Sequence, residues 1–259
     1  SGLGGEAGAA GTAGTGGSAP LSEYAKLVLE AGPEAYFRFE FPGVASTQIV
    51  SDVGSALGDV SAGPSLGRVA GALGGEPGYA AYFDQTTVTL DQPFDFAPAS
   101  PFTFEFWFKP VGSPAPALGA IFSRRTSDPA IGGYQGFFCT TDANGVSFRF
   151  EAPDFVLGDT GATVSAQEPT PTDAFTYVAV VSDGATKLKL YVNDLPVEEV
   201  DATIVPAGND TPFLLGSSIT HSGFRGAIDE FAVYRKQLSA GVIASHYSVG
   251  RNGPAAKAR

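Results

Sequence analysis

Apolar and polar residues alternate in short runs between residues 35 and 234, which is the pattern of half-buried β-strands. Turn residues separate several runs, among them Asp183-Gly184, Asn144-Gly145 and Asn193-Asp194, and such pairs favour tight hairpins. Short strands without intervening helices predict two stacked antiparallel sheets. The predicted strands are 35–41, 79–83, 86–91, 102–109, 118–123, 134–140, 145–151, 175–182, 186–193, 196–201, 212–216 and 226–234.

Two segments depart from the strand pattern and predict short helices. Ser22 precedes apolar residues at 24, 27 and 28 and a Gly32-Pro33 stop, and Ser239 provides a cap for a second helix over 238–247. Residues 42–78 are rich in Gly, Ala and Ser and are predicted to form a long loop. No structure is expected past Gly250.

Strand 102–109 shows the alternation most clearly. It predicts one face of four phenylalanines at 102, 104, 106 and 108 and an opposite face with Thr103, Glu105, Trp107 and Lys109. Trp107 is the only tryptophan, and we favour packing over a sugar-stacking role for it, although both remain open. Predicted core residues are Phe104, Phe106, Val178, Val180, Leu190, Val192, Ile228 and Phe231.

Glycine recurs at every third position of the N-terminal tract, from Gly2 to Gly17. This period suits a close-packed helix of three residues per turn that assembles with other copies, or simply a flexible spacer. A homo-oligomer formed through residues 1–19 therefore stays open. The expected organisation is a Gly-rich linker or assembly tract over 1–20, a sandwich domain over 21–250 and a tail over 251–259.

Composition and charge restrict the possible partners. The 259 residues are 43% hydrophobic and 16% charged, with 34 Gly and 19 Pro, which suits one domain of short strands. A formal charge of −12 disfavours nucleic acid and anionic membrane surfaces as partners, and no apolar run is long enough to span a membrane.

Cys139 is the only cysteine and is expected to be an inert buried thiol. Because the chain begins at Ser1 and has no Met, we interpret it as a processed or excised segment.

Several motifs resemble the laminin-G-like jelly-roll family. Residues 177–184 and 188–197 resemble its central hairpin, with Asp194 where the family favours Gly. Residues 224–234, followed by Leu238-Ser239, resemble its closing G-x-I-D-E-V-x-I-Y strand and helix, with Gly241 replacing an acidic residue. Further similarities occur at 36–40, 82–84 and 102–109, so that the resemblance covers residues 22–250. It implies an all-β, concanavalin A-like jelly-roll sandwich with two short flanking helices.

The resemblance also implies a structural calcium ion between the first and closing strands. The matching positions are Glu40 and Asp229, and Asp52 or Asp84 could join them. Calcium takes six to eight oxygen ligands, of which backbone carbonyls supply a part. Alternatively, Asp229 bonds backbone amides and caps the adjacent turn. Both interpretations remain open.

Catalytic patterns are weak in this sequence. Glu105 is followed by Phe106-Trp107-Phe108, so the E-x-D-x-E strand of related glycoside hydrolases is missing and with it the paired carboxylates of their mechanism. No G-x-S-x-G, H-E-x-x-H or P-loop motif occurs, and His221 and His246 are expected to be structural or solvent-facing.

We therefore expect a non-catalytic binding or adhesion module, extracellular or at the cell surface, that recognises a glycan or an extracellular protein through loops of the sandwich. The alternative is a structural subunit of an extracellular fibre or appendage, assembled through the Gly-every-third tract. The sequence does not name the ligand.

Overall fold

The structure is a computed structural model that describes residues 21–41, 43–96, 100–112, 118–128, 133–154, 158–201 and 211–253. The Gly-rich tract over 1–20 and residues 254–259 of the tail lie outside the described residues. The helices are α1 (Glu23–Glu30) and α2 (Ala240–Asn252). The strands are β1 (Ala35–Phe37), β2 (Ala45–Ser46), β3 (Gln48–Val50), β4 (Leu57–Ala62), β5 (Leu66–Ala70), β6 (Tyr79–Asp84), β7 (Thr87–Leu90), β8 (Phe102–Pro110), β9 (Gly119–Asp128), β10 (Gly133–Asp142), β11 (Gly145–Asp154), β12 (Gly158–Ser165), β13 (Thr176–Ser182), β14 (Lys187–Val192), β15 (Leu195–Asp201), β16 (Phe213–Leu215), β17 (Ser222–Gly223) and β18 (Arg225–Tyr234).

These strands form two stacked sheets, which we call sheet A and sheet B. Sheet A has the order β15-β14-β13-β8-β18-β6-β5-β2, and β1 also pairs with β18. Sheet B has the order β12-β11-β10-β9-β16-β7-β4-β3, and the short β17 adds a parallel pair to β9. All other pairs in the described chain are antiparallel, which confirms the predicted jelly-roll sandwich. The first and last strands are neighbours, with Ala35 opposite Val233.

The core lies between the two sheets and is dominated by phenylalanine. Phe106 is fully buried, and its ring centroid lies 5.7 Å from that of Phe122 and 5.9 Å from that of Phe231. Seven of the eight predicted core residues are buried, and Val192 is partly buried against the same cluster. The alternation predicted for 102–109 is confirmed, because Phe104 and Phe106 face this core whereas Trp107 lies in a second apolar cluster.

That second cluster joins the two helices to the outer face of sheet A. Tyr24 and Val28 of α1 and Ile243 of α2 pack with Trp107. The indole of Trp107 is 2% exposed and stacks on Tyr247 at 5.9 Å, so it is a packing residue. The helices therefore cover much of the outer face of sheet A.

Both helices begin at the predicted capping residues. The Ser22 hydroxyl accepts a hydrogen bond from the Ala25 amide at 2.8 Å, and the Ser239 hydroxyl accepts one from Val242 at 3.3 Å. However, α2 continues past Gly250 to Asn252 and ends at Gly253, which has a φ of 73° and donates its N–H to the Val249 carbonyl. The expectation of no structure beyond residue 250 is wrong for these residues.

The predicted loop over 42–78 is also wrong, since it contains β2, β3, β4 and β5. The two-residue β2 and three-residue β3 lie at the edges of sheets A and B, where much of each strand stays exposed. Small residues such as Gly58, Ser61 and Ala62 of β4 interrupt the alternation of apolar and polar positions, and pairing with neighbouring strands provides the order instead. Strand β12 and the short β17 are likewise absent from the predicted set for want of a clear pattern.

Two further predictions from the sequence concern the Cys139 thiol and the lack of a membrane-spanning segment. Cys139 is buried, and burial raises the pKa of its thiol above the ordinary value, which is consistent with an inert side chain. Neither of the helices in the described chain has the length and apolar character to cross a bilayer.

Candidate functional site

A pocket of about 480 Å³ lies where the start of α1 meets the outer side of sheet A. Apolar atoms come from Leu21, Leu73 and Pro77, and a positive charge comes from Arg38. Five further lining side chains carry carboxylates: Glu23, Glu40, Glu76, Asp229 and Glu230. A concave site that combines an apolar wall with convergent polar groups is the usual form of a small-ligand site.

A bulge in β18 places two successive carboxylates in this pocket. Ile228 and Phe231 both face the core, whereas Asp229 and Glu230 between them both line the pocket. The register with β8 shifts between Asp229 and Ala232, and Glu230 has a φ of 53°, in the left-handed region that non-glycine residues rarely adopt. The extra residue thus directs two neighbouring acids to one side of the strand.

The two acids differ in how they are held. Asp229 accepts the Ala72 amide at 2.8 Å on Oδ2 and the Glu230 amide at 3.0 Å on Oδ1. Glu230 accepts a hydrogen bond from the Tyr36 hydroxyl. Burial raises the pKa of Asp229, an effect that the Ala72 hydrogen bond opposes and the charge of Glu40 reinforces. Burial and the charge of Asp229 likewise raise the pKa of Glu230.

Glu40 and Arg38 reach the pocket from the end of the first strand. Phe39 between them turns into the core with a φ of 56°, which leaves its two neighbours on the pocket side. Glu40 Oε1 accepts the Tyr79 amide at 3.0 Å. Arg38 is 4% exposed, and its Nε has no hydrogen-bond partner among the described residues. A buried donor of this kind is costly unless something else satisfies it.

The structure brings together only some of the residues predicted to bind metal. Glu40 and Asp229 both line the pocket, whereas the Asp52 carboxylate lies 3.7 Å from Arg38 Nη1 and does not line it. Asp84 pairs with Arg225. Across the described parts of the chain, His, Cys, Asp and Glu side chains form no group of three or more that could hold an ion. A cation would therefore rely on the two carboxylates and on backbone oxygens, and the calcium site stays a prediction.

The amide contacts of Asp229 also show that its alternative role is present. Both of its oxygens bond backbone N–H groups, as expected for a residue that stabilises the adjacent bulge. Each carboxylate oxygen has a second lone pair, so these bonds do not exclude a further ligand.

A second buried polar cluster lies beneath α2. Glu105 is fully buried and accepts hydrogen bonds from the hydroxyls of Tyr177, at 2.5 Å, and Tyr234. His246 Nδ1 lies 3.0 Å from Glu105 Oε2. This network ties α2 to sheet A, so His246 is structural, as the sequence predicts. His221 instead stacks on Phe138, with 4.8 Å between the ring centroids.

Arg38 and Glu230 have no sequence signal of their own as pocket residues. A strict period of two would place Ile228 and Glu230 on the same face of β18, and the bulge is what separates them. The left-handed conformation at residue 230 depends on tertiary contacts that a local pattern does not encode.

Comparison with known proteins agrees with this architecture. Residues 83–244 match a family model for laminin G-like domains, described as the concanavalin A-like lectin/glucanases superfamily. No curated protein matches the chain in sequence.

Solved structures share the fold at low sequence identity. Domain 4 of AbnA, a GH43 extracellular arabinanase from Geobacillus stearothermophilus solved with arabinotriose, aligns with a TM-score of 0.56 and 15% identity, over 82% of this chain and 97% of that one. The binding domain of Paraclostridial Mosquitocidal Protein 1 aligns with a TM-score of 0.61 and 13% identity, over 85% of this chain and 52% of that one.

Botulinum neurotoxin type C, whose cell entry depends on two ganglioside molecules, aligns with a TM-score of 0.53 and 13% identity, over 85% of this chain and 52% of that one. The chain thus spans about half the length of these toxin chains. The jelly-roll fold is the common element. Because the family model covers well over half of the sequence, the chain belongs to the concanavalin A-like lectin/glucanase superfamily.

Proposed function

We propose that the chain is an extracellular, non-catalytic carbohydrate-binding module and that the pocket at the start of α1 binds a glycan. The observation that carries this proposal is the combination of carboxylates, one arginine and an apolar wall in a single cavity of about 480 Å³. Carboxylates accept hydrogen bonds from sugar hydroxyls, and apolar atoms pack against the C–H faces of a sugar ring. The volume lies within the range of about 300–1,000 Å³ that small-ligand sites occupy.

The structural neighbours support a glycan as the ligand class. One was solved with arabinotriose, and the type C neurotoxin depends on gangliosides for entry. The choice of a glycan as the ligand class rests on the lining of the pocket. The extracellular location is part of the same proposal, and it is supported by the similar domain of an extracellular arabinanase.

The hydrogen bonds of the pocket acids support binding rather than catalysis. Both oxygens of Asp229 accept backbone amides, and Glu230 accepts the Tyr36 hydroxyl. Two-carboxylate glycoside hydrolysis needs one acid to move a proton to the leaving group and a second to attack or to activate water. Acids that are fixed by the fold in this way are suited to orienting hydroxyl groups.

We also propose that Glu40 and Asp229 hold a calcium ion that stabilises the sandwich. Their oxygens are hard ligands of the kind that calcium prefers. Burial raises the pKa values of both Asp229 and Glu230, and the charge of Glu40 raises them further, so the carboxylate forms of these acids are disfavoured here. A bound cation would stabilise those forms.

Isothermal titration of the chain with a panel of neutral oligosaccharides tests the glycan proposal. Glu40→Gln keeps an oxygen for the Tyr79 amide but removes the charge, and it should weaken binding about tenfold or more. Glu168→Gln, at an exposed position that does not line the pocket, is the matched control and should bind like the parent. The proposal fails if no oligosaccharide binds, or if Glu40→Gln binds as tightly as the control.

A further inference from the structure

The outer face of sheet B carries a row of four residues across β9 to β12. Arg125 lies opposite Gly136, Gly136 opposite Glu151, and Glu151 opposite Gly161. The helices of the described chain pack on sheet A, so they do not cover this row. Two of the four positions are glycines and carry no side chain, and the two charged residues of the row, Arg125 and Glu151, are 6% and 2% exposed.

Arg125 joins Glu151 across Gly136. Its Nε donates to Glu151 Oε2, and its Nη2 donates to Glu151 Oε1 at 2.8 Å. The guanidinium carbon lies 3.7 Å from the ring centroid of Tyr134 and 4.7 Å from that of Phe138. Gly136 has a φ of 118°, and a Cβ there would collide with the Arg124 carbonyl oxygen. Glycine is therefore required at the crossing point.

A second guanidinium shares the same carboxylate. Arg149 Nε lies 3.1 Å from Glu151 Oε1, and the Arg149 side chain is 37% exposed whereas Glu151 is 2% exposed. Within the described residues Arg149 has no other ionic or hydrogen-bond partner, so its two Nη groups are uncommitted. Arginine stays protonated in proteins, and this part of the face therefore carries two positive charges against one negative charge among its described side chains.

Aromatic rings border these charges. His221 stacks on Phe138 with an interplanar angle of 29°, and its Nδ1 lies 2.9 Å from Thr220 Oγ1. Burial lowers the pKa of His221, and the charge of Arg125 lowers it further, so the charged imidazolium is disfavoured. Tyr134 is partly exposed at the other end of the row. Flat rings beside an uncommitted guanidinium suit a ligand that has both a ring and an anionic group.

We propose that this face, formed by Arg125, Tyr134, Phe138, Arg149, Glu151 and His221, is a second glycan site that binds a carboxylated sugar. The carboxylate of a uronic acid residue pairs with the Nη groups of Arg149, and the sugar ring packs beside the aromatic residues. This inference rests on the proposed glycan-binding function and adds the chemical class of a ligand at a site separate from the pocket.

Charge decides between a uronate and a larger polyanion. The chain has a formal net charge of −12, which repels nucleic acid and densely sulfated polymers. One uncommitted guanidinium matches one carboxylate. Carboxylate and sulfate are both anions, so only the planar shape of the carboxylate, which suits bidentate hydrogen bonding, favours it over a tetrahedral sulfate. Both anions therefore enter the experiment as separate ligands.

The experiment is calorimetric titration with three ligands. They are trimers of galacturonic acid, the same trimers as methyl esters, and a trisaccharide that carries sulfate groups and no carboxylates. The parent should bind the acid about tenfold or more tightly than the ester, and more weakly as salt is raised. Arg149→Gln should remove this preference while leaving the melting temperature close to that of the parent. Arg225→Gln is the matched control, since Arg225 is an exposed arginine paired with Asp84 elsewhere on the sandwich.

The outcomes separate this inference from the general function. Equal affinity for acid and ester, stronger binding of the sulfated ligand, or unchanged preference in Arg149→Gln would overturn the uronate site. In those cases binding of neutral oligosaccharides by the pocket would leave the glycan-binding function standing. If no glycan of any kind binds, the proposed function itself is wrong, and this inference falls with it.

Discussion

Asp229 and Glu230 are consecutive residues of one strand, yet both side chains lie on the same side of sheet A. The β18 bulge and the left-handed conformation of Glu230 produce this arrangement, and the pocket depends on it. Both acids are buried, and their charges disfavour each other. Such an arrangement costs stability, which is typical of a region kept for binding.

The first prediction concerns the pH dependence that this pair imposes. Burial raises the folded-state pKa of each acid above its ordinary value of 3.8 for Asp229 and 4.5 for Glu230. The folded state then holds protons that the unfolded state releases, so stability falls as the pH rises from those ordinary values toward the folded-state values. Glu230→Gln should remove much of this loss and unfold at a denaturant concentration no lower than the parent at pH 7.

Denaturant titration of the parent and Glu230→Gln at pH 5 and pH 7 measures the effect. Glu34→Gln, at a partly exposed acid paired with Arg235, provides a comparison at a site outside the pocket. A parent that is equally stable at both pH values, with Glu230→Gln the less stable protein at pH 7, would contradict the prediction.

The second prediction concerns His246 and Glu105. Burial opposes the charged form of each, but their mutual charge and hydrogen bonds prevail, so the pKa of Glu105 is lowered and that of His246 is raised. Their contribution is complete between the ordinary values of 4.5 and 6.5. It is lost as the pH falls through the Glu105 value or rises through the His246 value.

His246→Ala should cost roughly 3–5 kcal/mol near pH 6, because it leaves a buried carboxylate without its cation. His221→Ala is the control, since that imidazole is partly exposed and only stacks on Phe138 and contacts Thr220. Chemical unfolding of both variants at pH 6 gives the comparison. Equal stability of the two variants would show that the Glu105 pair is unimportant.

The third prediction concerns the core. Phe106 is fully buried between Phe122 and Phe231, so Phe106→Ala should lower the free energy of unfolding by about 3–5 kcal/mol. Val197→Ala, at a position that is 44% exposed, should change it little. Urea unfolding measures both, and a Phe106→Ala protein as stable as the parent would mean that the core faces are wrongly assigned.

The fourth prediction concerns calcium. If Glu40 and Asp229 bind the ion, stability rises with free calcium and gains about 2.7 kcal/mol at a hundredfold excess over Kd. Melting temperatures with chelator and with added calcium should differ for the parent and for Glu168→Gln. Asp229→Asn and Glu40→Gln should respond less, and Glu40→Gln is the cleaner variant because Asp229 also holds two backbone amides. Identical melting in both conditions would reject the ion.

Strand β8 shows what the sequence predicts well. Its four phenylalanines at alternate positions define the core face, and the opposite face correctly contains Glu105 and Trp107. Strands β2 to β5 show the limit, because these short strands gain their order from pairing with their neighbours rather than from alternation, and β2 and β3 lie at the sheet edges.

The residues of the candidate site likewise fall into those that the sequence predicts and those that only the folded structure places there. Glu40 and Asp229 follow from motif resemblance, since they stand at fixed positions of the first and closing strands. Glu230 and Arg38 require the β18 bulge and the left-handed Phe39 and Glu230 conformations, and these depend on contacts between distant segments. The Arg125 face is similar, because it needs the register of β9, β10 and β11.

The most direct test of the glycan-binding pocket is an amide NMR titration of the chain with the tightest neutral oligosaccharide from the panel. The Tyr79, Ala72 and Glu230 amides donate to Glu40 and Asp229 and should report any ligand that contacts those carboxylates. Ala185, whose amide donates to the Asp183 carboxylate at 2.8 Å in a distant turn, is the internal control. We expect saturable shifts of the three pocket amides with Ala185 unchanged, whereas binding that leaves all three unshifted would contradict the pocket as the site.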